Sequence, residues 1–180
     1  MFSIAKLFTA ALAVTSVAVA AVTPQQAVDG LRLLTQKAQE LQAPAQSISL
    51  VTAPLIVIGQ GPFPLIIAGI ADQTKTAHAL NFGEITPAGD ERVFNAYREF
   101  VHVEQTLLKI LIGKAGLVNQ VPLVGQPIAA VLRQLEDVTD TLSLQLIETV
   151  DTRSTDLARE SKSLGESFSS AIEKYEGLSL

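Results

Sequence analysis

Apolar residues recur at helical spacing over most of the chain, and no sustained strand-like alternation occurs. Residues three and four positions apart lie on one face of a helix, so a stripe at this spacing predicts a helix with one buried side. The first such helix is predicted from about Pro24 to Ala43, with Thr23 as its N-cap and proline at the first helical position. Its stripe consists of Ala27, Leu31, Leu34, Ala38 and Leu41.

A long uncharged segment follows, because no charged residue occurs from Leu41 to Ala71. Its centre, Gly59 to Pro64, holds two glycines and two prolines, which interrupt a straight helix. We therefore predict a kinked second helix, with a first arm up to Ile58 and a second arm from about Leu65 to Leu80. The uncharged segment is either a central helix buried on all sides, or surplus apolar surface that lines a cavity or forms an exposed patch.

Three further amphipathic helices are predicted, the first from Thr86-Pro87 to about Ile112, before the glycine-containing stop at 113–116. The next begins near Pro127, and the last extends over about 152–175. Their stripes comprise Val93, Tyr97, Phe100, Leu107, Leu108 and Leu111, then Ile128, Leu132, Leu135, Leu142, Leu146 and Val150, and finally Leu157, Leu164, Phe168, Ala171 and Tyr175. The pattern predicts an all-α, antiparallel bundle of four to five helices.

The N-terminal segment has the pattern of an export signal. Lys6 precedes an apolar run that ends in Ala18-Val19-Ala20, which is a signal-peptidase pattern. We predict that residues 1–20 are removed and that 21–180 form a single domain, which is secreted and either extracellular or associated with a cell wall. Because the sequence contains no cysteine, this domain is expected to fold without disulfides.

The charge and the lack of chemical motifs exclude several classes of function. The formal net charge is −5, and loss of Lys6 makes the mature chain more acidic, which argues against nucleic acid and anionic membranes as partners. No Gly-x-Ser-x-Gly is present, and the two histidines, His78 and His102, lie in no recognisable motif. His102 and Glu104 point about 200° apart on a helix, so no metal site is predicted. We predict a non-enzymatic protein without a cofactor.

Polar residues interrupt the apolar stripes at two positions, Glu104 and Thr139. A carboxylate on an apolar face needs a buried partner, water or a ligand. Glu104 either forms a salt bridge or lies at a bundle end, or else it contacts a ligand head group together with Thr139 and with Gln73 or Thr74. A fatty-acid anion would be repelled unless one of the two carboxyl groups is protonated. The predicted apolar lining of the ligand site is Ile56, Phe63, Ile66, Ile70, Phe100, Leu107, Leu111, Leu132, Leu135 and Leu142, and its predicted polar contacts are Gln73, Glu104 and Thr139.

Several motifs resemble a known family. They are Gly59-Gln60-Gly61-Pro62-Phe63-Pro64, then Ile66-Ile67-Ala68-Gly69, then Leu107-Leu108 and Ile110-Leu111-Ile112-Gly113-Lys114, and finally Ile128 to Arg133 with Leu135 and Asp140. Over roughly Val28 to Val150, the sequence resembles the fungal hydrophobic surface binding protein A family, which includes the cell-wall galactomannoproteins. The resemblance implies a secreted or wall-associated helical bundle that binds hydrophobic surfaces or carries fatty acids, without catalytic residues. Covalent wall anchoring is not expected, because the Ser/Thr-rich tail and the GPI signal of anchored relatives are not found.

Three functions fit these observations. The first is a lipid-binding module in which an aliphatic cavity between the helices takes up an acyl chain. The second is a surface-active protein that presents the region from Leu55 to Ile70 to a hydrophobic surface. The third is a membrane-active or structural cell-wall protein without a defined cavity, which contacts a membrane but does not span it. The first is the main prediction, with a fatty acid or another lipid as the partner.

Overall fold

The computed structural model describes residues 22–52, 55, 59–80, 82, 89–118 and 125–177, and these residues form a bundle of helices with no strand among them. The helices are α1 (Pro24–Gln46), α2 (Pro62–Ala79), α3 (Asp90–Val118), α4 (Gly125–Thr149) and α5 (Ser154–Glu176), and a 3₁₀ turn over Asp151–Arg153 precedes α5. The predicted all-α fold class is thereby confirmed. The predicted signal peptide lies outside the described residues.

The start of α1 is capped as its sequence predicts. The Thr23 hydroxyl accepts a hydrogen bond of 3.2 Å from the backbone N–H of Gln26, whose side chain accepts one of 2.9 Å from the Thr23 N–H. This reciprocal pair is a capping box. The helix extends three residues beyond the predicted end at Ala43, to Gln46, and includes Pro44 in its last turn.

The connection between α1 and α2 differs from the predicted helical arm. Residues 47–52 form turns, in which the Thr52 hydroxyl donates to the Ser47 carbonyl at 3.0 Å. Most of the remaining arm, Ile56 included, lies outside the described residues. Gly59 and Gly61 have φ values of 70° and 85°, a left-handed conformation that glycine adopts without strain. The predicted interruption is therefore a helix boundary. The helix α2 begins within it at Pro62, three residues before the predicted start at Leu65, because proline fits the first turn of a helix.

The predicted stop of the third helix at 113–116 is wrong, because α3 continues to Val118. Its last turns are held by tertiary contacts. Ala115 is buried, and the Lys114 ammonium donates a hydrogen bond of 2.9 Å to the Ile48 carbonyl. These contacts outweigh the cost of glycine in a helix interior, which is about 1 kcal/mol. The predicted start at Thr86 lies outside the described residues.

The five helices form a closed ring, in the order α1, α3, α5, α4, α2 and back to α1. Each helix packs along its length against its two neighbours in this order. Within the ring, α3 is separated from α2 by α1 on one side, and it is separated from α4 by α5 on the other. A side chain of α2 or α4 that contacts α3 must therefore cross the interior of the ring.

Helices that follow each other in the chain are antiparallel. Therefore α1, α3 and α5 run in one direction, and α2 and α4 run in the other. The contacts that fix these directions are Lys37–Asp72 and Leu41–Gly69 between α1 and α2, Gln25–Arg92 and Ile48–Lys114 between α1 and α3, Glu91–Arg153 and Gln105–Ser163 between α3 and α5, and Arg133–Glu176 and Glu136–Ser169 between α4 and α5. The same pairs show which residues lie at one level of the bundle.

All five helices contribute to one apolar core inside the ring. Its largest fully buried side chains include Tyr97, Tyr175, Phe63, Phe100 and Phe168. Most of the other core residues are aliphatic, as the scarcity of aromatic residues in the sequence predicts. None of the described helices has the length and apolar character of a membrane span.

Candidate functional site

A buried polar pair lies in the middle of the apolar interior. The side-chain amide of Gln73, on α2, donates a hydrogen bond of 2.5 Å to Oε2 of Glu104, on α3. Both residues are completely buried. Because α2 and α3 are not neighbours in the ring, this hydrogen bond crosses its interior. Oε1 of Gln73 and Oε1 of Glu104 have no hydrogen-bond partner in the described part of the chain.

Burial changes the acid–base behaviour of this pair. Removal from water raises the pKa of the Glu104 carboxyl from 4.5 to about 7, and the hydrogen bond from Gln73 opposes that rise. The cause is desolvation, which disfavours the charged form of a carboxyl group. Near neutral pH, Glu104 therefore exists partly as a neutral carboxylic acid, which donates as well as accepts a hydrogen bond.

Thr139, on α4, contributes a third unpaired polar atom. The residue is buried, and its Oγ1 has no hydrogen-bond partner in the described structure. Its level follows from Ser143, one turn away, whose hydroxyl lies 2.6 Å from that of Tyr97. Since α3 and α4 are antiparallel, Thr139 lies within about one helical turn of the level of Glu104. Three helices thus place unpaired oxygens in one layer of the interior. We call this layer, which consists of Gln73, Glu104 and Thr139, the polar layer.

A second polar contact crosses the interior on one side of this layer. The hydroxyls of Tyr97 and Ser143 join α3 to α4, which are also not neighbours in the ring. Tyr97 precedes Glu104 by two helical turns, about 10 Å along α3. Burial raises the pKa of the Tyr97 phenol, and the hydrogen bond with Ser143 opposes this, so the group stays neutral.

Nine of the ten predicted lining residues are buried in the core, and the tenth, Ile56, lies outside the described residues. Seven of the nine lie on the side of the polar layer away from the Tyr97–Ser143 bond. These seven are Phe63, Ile66 and Ile70 on α2, Leu107 and Leu111 on α3, and Leu132 and Leu135 on α4. Phe100 and Leu142 lie between the layer and that bond. The contact of these residues with a ligand stays a prediction.

Two surface grooves have a different character from the interior. One of about 260 Å³ lies between α1 and α3, and its lining includes Arg32, Arg92 and Glu99. The other, of about 400 Å³, lies between α3 and α5, and its lining includes Gln105 and Lys109. Both are lined mainly by polar side chains, which suit water better than an alkyl chain. We therefore place the candidate site in the interior of the ring.

Of the predicted polar contacts, the structure brings Gln73 and Glu104 together, and it excludes a salt bridge as the partner of Glu104 within the described residues. The alternative contact, Thr74, instead donates to the Ile70 carbonyl of its own helix at 2.9 Å. His102 is exposed. Among the described residues, no three acidic or histidine side chains form a group that could hold a metal ion.

Ser143 was not among the predicted site residues. Ser143 is four residues after Thr139 and so lies on the same face of α4. A polar residue at this position of an apolar stripe is a signal from which Ser143 could have been predicted as a site residue. Its partner could not have been predicted, because Tyr97 is 46 positions away in the chain.

Comparisons with known proteins bear on the fold. A crystal structure described as AFMP4P in complex with palmitic acid is similar to this chain, with a TM-score of 0.66 and 21% sequence identity. The similarity covers 84% of this chain and 99% of that one. At this identity the comparison shows a related fold. No family model matches the sequence, and no curated protein matches it.

Proposed function

We propose that this protein is a secreted or cell-wall-associated carrier, without catalytic activity, that binds a fatty acid or another lipid inside its helical ring. The observation that carries the proposal is the Gln73–Glu104 pair, fully buried in an aliphatic interior, with one oxygen on each residue that has no partner among the described residues. A buried polar atom without a hydrogen bond costs about 1 to 3 kcal/mol. A lipid head group at this position would supply the missing partners, and its alkyl chain would occupy the apolar interior.

The similar fold of AFMP4P supports this proposal, since that protein was crystallised with palmitic acid. A shared fold does not by itself imply a shared function, so the buried pair and the aliphatic core carry more weight. The motifs from Gly59 to Gly69 add a second line of support. They are the basis for proposing membership of the hydrophobic surface binding protein A family.

The energetics favour an alkyl ligand. Each methylene group removed from water contributes about 0.8 kcal/mol. For a chain of about sixteen carbons the gross gain is about 12 kcal/mol, which exceeds the costs of association and ordering over most of their range of about 4 to 15 kcal/mol. Since the described helices enclose the interior on its sides as a ring, the chain enters either between two neighbouring helices that separate or at an end of the bundle.

The test is native mass spectrometry of the secreted, mature protein, followed by organic extraction and identification of the lipid. We expect a discrete adduct with the mass of a fatty acid or a related lipid. Delipidated protein should bind added palmitic acid with a stoichiometry of one, measured by titration calorimetry. The proposal is wrong if the native protein carries no lipid and the delipidated protein binds none.

A second candidate function, adsorption to hydrophobic surfaces, is favoured by a patch at the α1–α2 end of the bundle. This connector patch consists of Leu50, Val51, Leu55 and Leu65, with exposed fractions of 57%, 83%, 36% and 62%. It lies within the uncharged segment from Leu41 to Ala71, so no charge on that segment opposes contact with an apolar surface.

Depletion of the protein by hydrophobic beads tests this second function. We expect the double variant Leu50→Ser, Val51→Ser to remain in solution where the unaltered protein adsorbs. Leu144→Ser is the matched control, because Leu144 is 60% exposed on α4, away from the connector patch. Equal adsorption of both variants would exclude the patch as the contact surface. Leakage of liposomes would instead favour a membrane-active role.

The proposed location depends on the export pattern that ends at Ala20. N-terminal sequencing of protein from the culture medium should give Ala21 as the first residue. Retention of the full-length chain inside the cell would contradict the secreted location without affecting the lipid-binding proposal.

A further inference from the structure

The hydrogen-bonding chemistry of the Gln73–Glu104 pair restricts the class of lipid, an inference that rests on the proposed function. The unpaired atoms of the layer are a carboxamide oxygen, a carboxyl oxygen and a threonine hydroxyl. The carboxamide oxygen only accepts hydrogen bonds, and an ionised carboxyl group also only accepts them. This layer is therefore best completed by a head group that donates a hydrogen bond.

No buried cation balances a negative charge at this position in the described structure. The buried polar residues are Thr35 on α1, Gln73 and Thr74 on α2, Asp90 and Glu104 on α3, and Thr139 and Ser143 on α4, together with the phenols of Tyr97 and Tyr175. Burial raises the pKa of both phenols, so neither is charged near neutral pH. The other buried carboxyl, Asp90, is fourteen residues from Glu104, about 21 Å along α3.

Charge at the helix surface does not supply this balance either. Lys37, at the level of Glu104 on α1, is paired with the Asp72 carboxylate. Lys114 donates to the Ile48 carbonyl, more than two turns away along α3. A fatty-acid anion beside an ionised Glu104 would thus place two like charges together in an apolar interior, which costs several kcal/mol.

The longer uninterrupted apolar path for the tail of the lipid lies on one side of the layer. On one side of the layer, the Tyr97–Ser143 bond crosses the interior after about 10 Å. On the other side, α2 presents Ile70, Ile66 and Phe63 over about 15 Å, up to the end of the bundle that carries the connector patch. A head group at Gln73 and Glu104 therefore directs its tail toward that end.

We propose that the Gln73–Glu104 pair receives a lipid head group that donates a hydrogen bond, which selects fatty alcohols and singly protonated fatty acids over fatty-acid anions and esters. For a fatty acid, the ligand carboxyl and Glu104 share one proton. Binding of the acid above the pKa of Glu104 therefore requires uptake of a proton from solution, whereas binding of an alcohol does not.

The test uses three ligands with the same chain length: dodecanoic acid, dodecanol and methyl dodecanoate. Their dissociation constants for the delipidated, mature protein are measured by titration calorimetry at pH 5.5 and pH 8.5. We expect the affinity for the acid to fall by about tenfold or more at the higher pH, because binding of each acid molecule then requires uptake of one proton. The affinity for the alcohol should change by less than about threefold. At pH 8.5, where Glu104 is ionised and offers no donor, the ester should bind about tenfold more weakly than the alcohol.

Glu104→Gln provides the decisive variant, because its neutral side chain also offers a donor to an anion. We expect the acid to bind this variant about tenfold more tightly than the unaltered protein at pH 8.5, where Glu104 is ionised. Glu99→Gln, an exposed change on the same helix, should leave all affinities unchanged. The circular dichroism spectrum and melting temperature of each variant establish that it is folded.

The outcomes separate this inference from the function on which it rests. Equal affinity for the ester and the alcohol, or an affinity for the acid that rises with pH, would overturn the selection for a donor while leaving lipid binding intact. Failure of all three ligands to bind the unaltered protein would contradict the proposed function itself.

Discussion

The Tyr97 and Ser143 hydroxyls lie 2.6 Å apart and form a hydrogen bond between α3 and α4 through the interior of the ring. The Ser143 hydroxyl also donates to the Thr139 carbonyl at 2.7 Å. Since a serine hydroxyl has one hydrogen, Tyr97 must be the donor to Ser143. If the Tyr97 hydroxyl is removed, the Ser143 hydroxyl still donates to the Thr139 carbonyl, but its oxygen no longer accepts a hydrogen bond from Tyr97.

We expect Tyr97→Phe to lower the free energy of unfolding by about 1 kcal/mol, the net value of a buried hydrogen bond whose partner keeps its other contact. Urea denaturation followed by circular dichroism measures the change. Thr141→Val is the matched control, because its exposed hydroxyl donates only to the Asp137 carbonyl of its own helix. A loss as small as that of the control would mean that the interhelical bond does not stabilise the ring.

Glu104 should make the stability of the protein depend on pH. Its pKa is about 7 in the folded chain, compared with 4.5 without burial, so between these values the folded state keeps a proton that the unfolded state has lost. The contribution is fully present below pH 4.5 and is lost as the pH rises through 7. We expect stability to fall by about 3 kcal/mol between pH 4.5 and pH 8, at about 1.4 kcal/mol per unit of pKa shift.

Glu104→Gln isolates this effect from those of other groups. Burial also raises the pKa of the partly exposed Glu136 and Asp140, whereas the hydrogen bond from Lys37 lowers that of Asp72. These groups contribute equally to the variant and to the unaltered protein. The difference between the two denaturation series, measured in delipidated protein, should fall with pH. A difference that stays constant from pH 5 to pH 8 would show that Glu104 is not buried in an apolar setting.

Local sequence signals were sufficient for the core of each of the five helices and for the polar residues on their buried faces. The α1 cap at Thr23 depends on neighbouring residues, and the stripe that contains Glu104 follows from helical periodicity alone. The buried partner was also within reach, because Gln73 continues the stripe of Phe63, Ile66 and Ile70 on α2. In each of these cases the determining contacts lie within one helix, or the residue lies on a face that the helical repeat defines.

Features that depend on contacts between distant segments were not predictable. The α3 end was placed too early because the glycines at 113 and 116 favour a stop, whereas the contact of Lys114 with Ile48 is invisible in a single sequence. The order of the helices in the ring also depends on contacts between distant segments. Each stripe indicates that a helix is buried on one side, but it does not specify which two helices cover it.

Substitutions in the interior should distinguish the two sides of the polar layer. The tail side is the one toward Phe63 and the connector patch, and the opposite side is the one toward Tyr97 and Ser143. Ile66→Phe adds volume to the tail side, and Leu31→Phe adds comparable volume at the level of the Tyr97–Ser143 bond, on the opposite side of the layer; both residues are fully or almost fully buried. Overpacking should destabilise each variant by about 1 to 3 kcal/mol. We expect only Ile66→Phe to weaken palmitic acid binding, by about tenfold or more in titration calorimetry. Equal weakening by the two variants would contradict the proposed direction of the tail.

Two glycines in helices should respond in opposite directions to replacement by alanine. Gly113 is exposed in α3, and a Cβ atom there would meet nothing within 4 Å. A Cβ atom on Gly69, in α2, would come within 3.2 Å of Leu41 Cγ on α1, so the two helices approach closely at this point. We expect Gly113→Ala to raise the free energy of unfolding by about 0.5 to 1 kcal/mol, since alanine restricts the unfolded chain and favours the helix.

Gly69→Ala should instead lower the free energy of unfolding by about 1 to 3 kcal/mol, because either the Leu41 side chain or the helix must move. Urea denaturation measures both changes, and each variant is the control for the other, because the chemical substitution is identical. If Gly113→Ala also destabilised the protein, α3 would not continue through residue 113 as a regular helix. A neutral effect of Gly69→Ala would mean that Leu41 adopts another rotamer at no cost, and that the close approach of α1 and α2 does not require glycine.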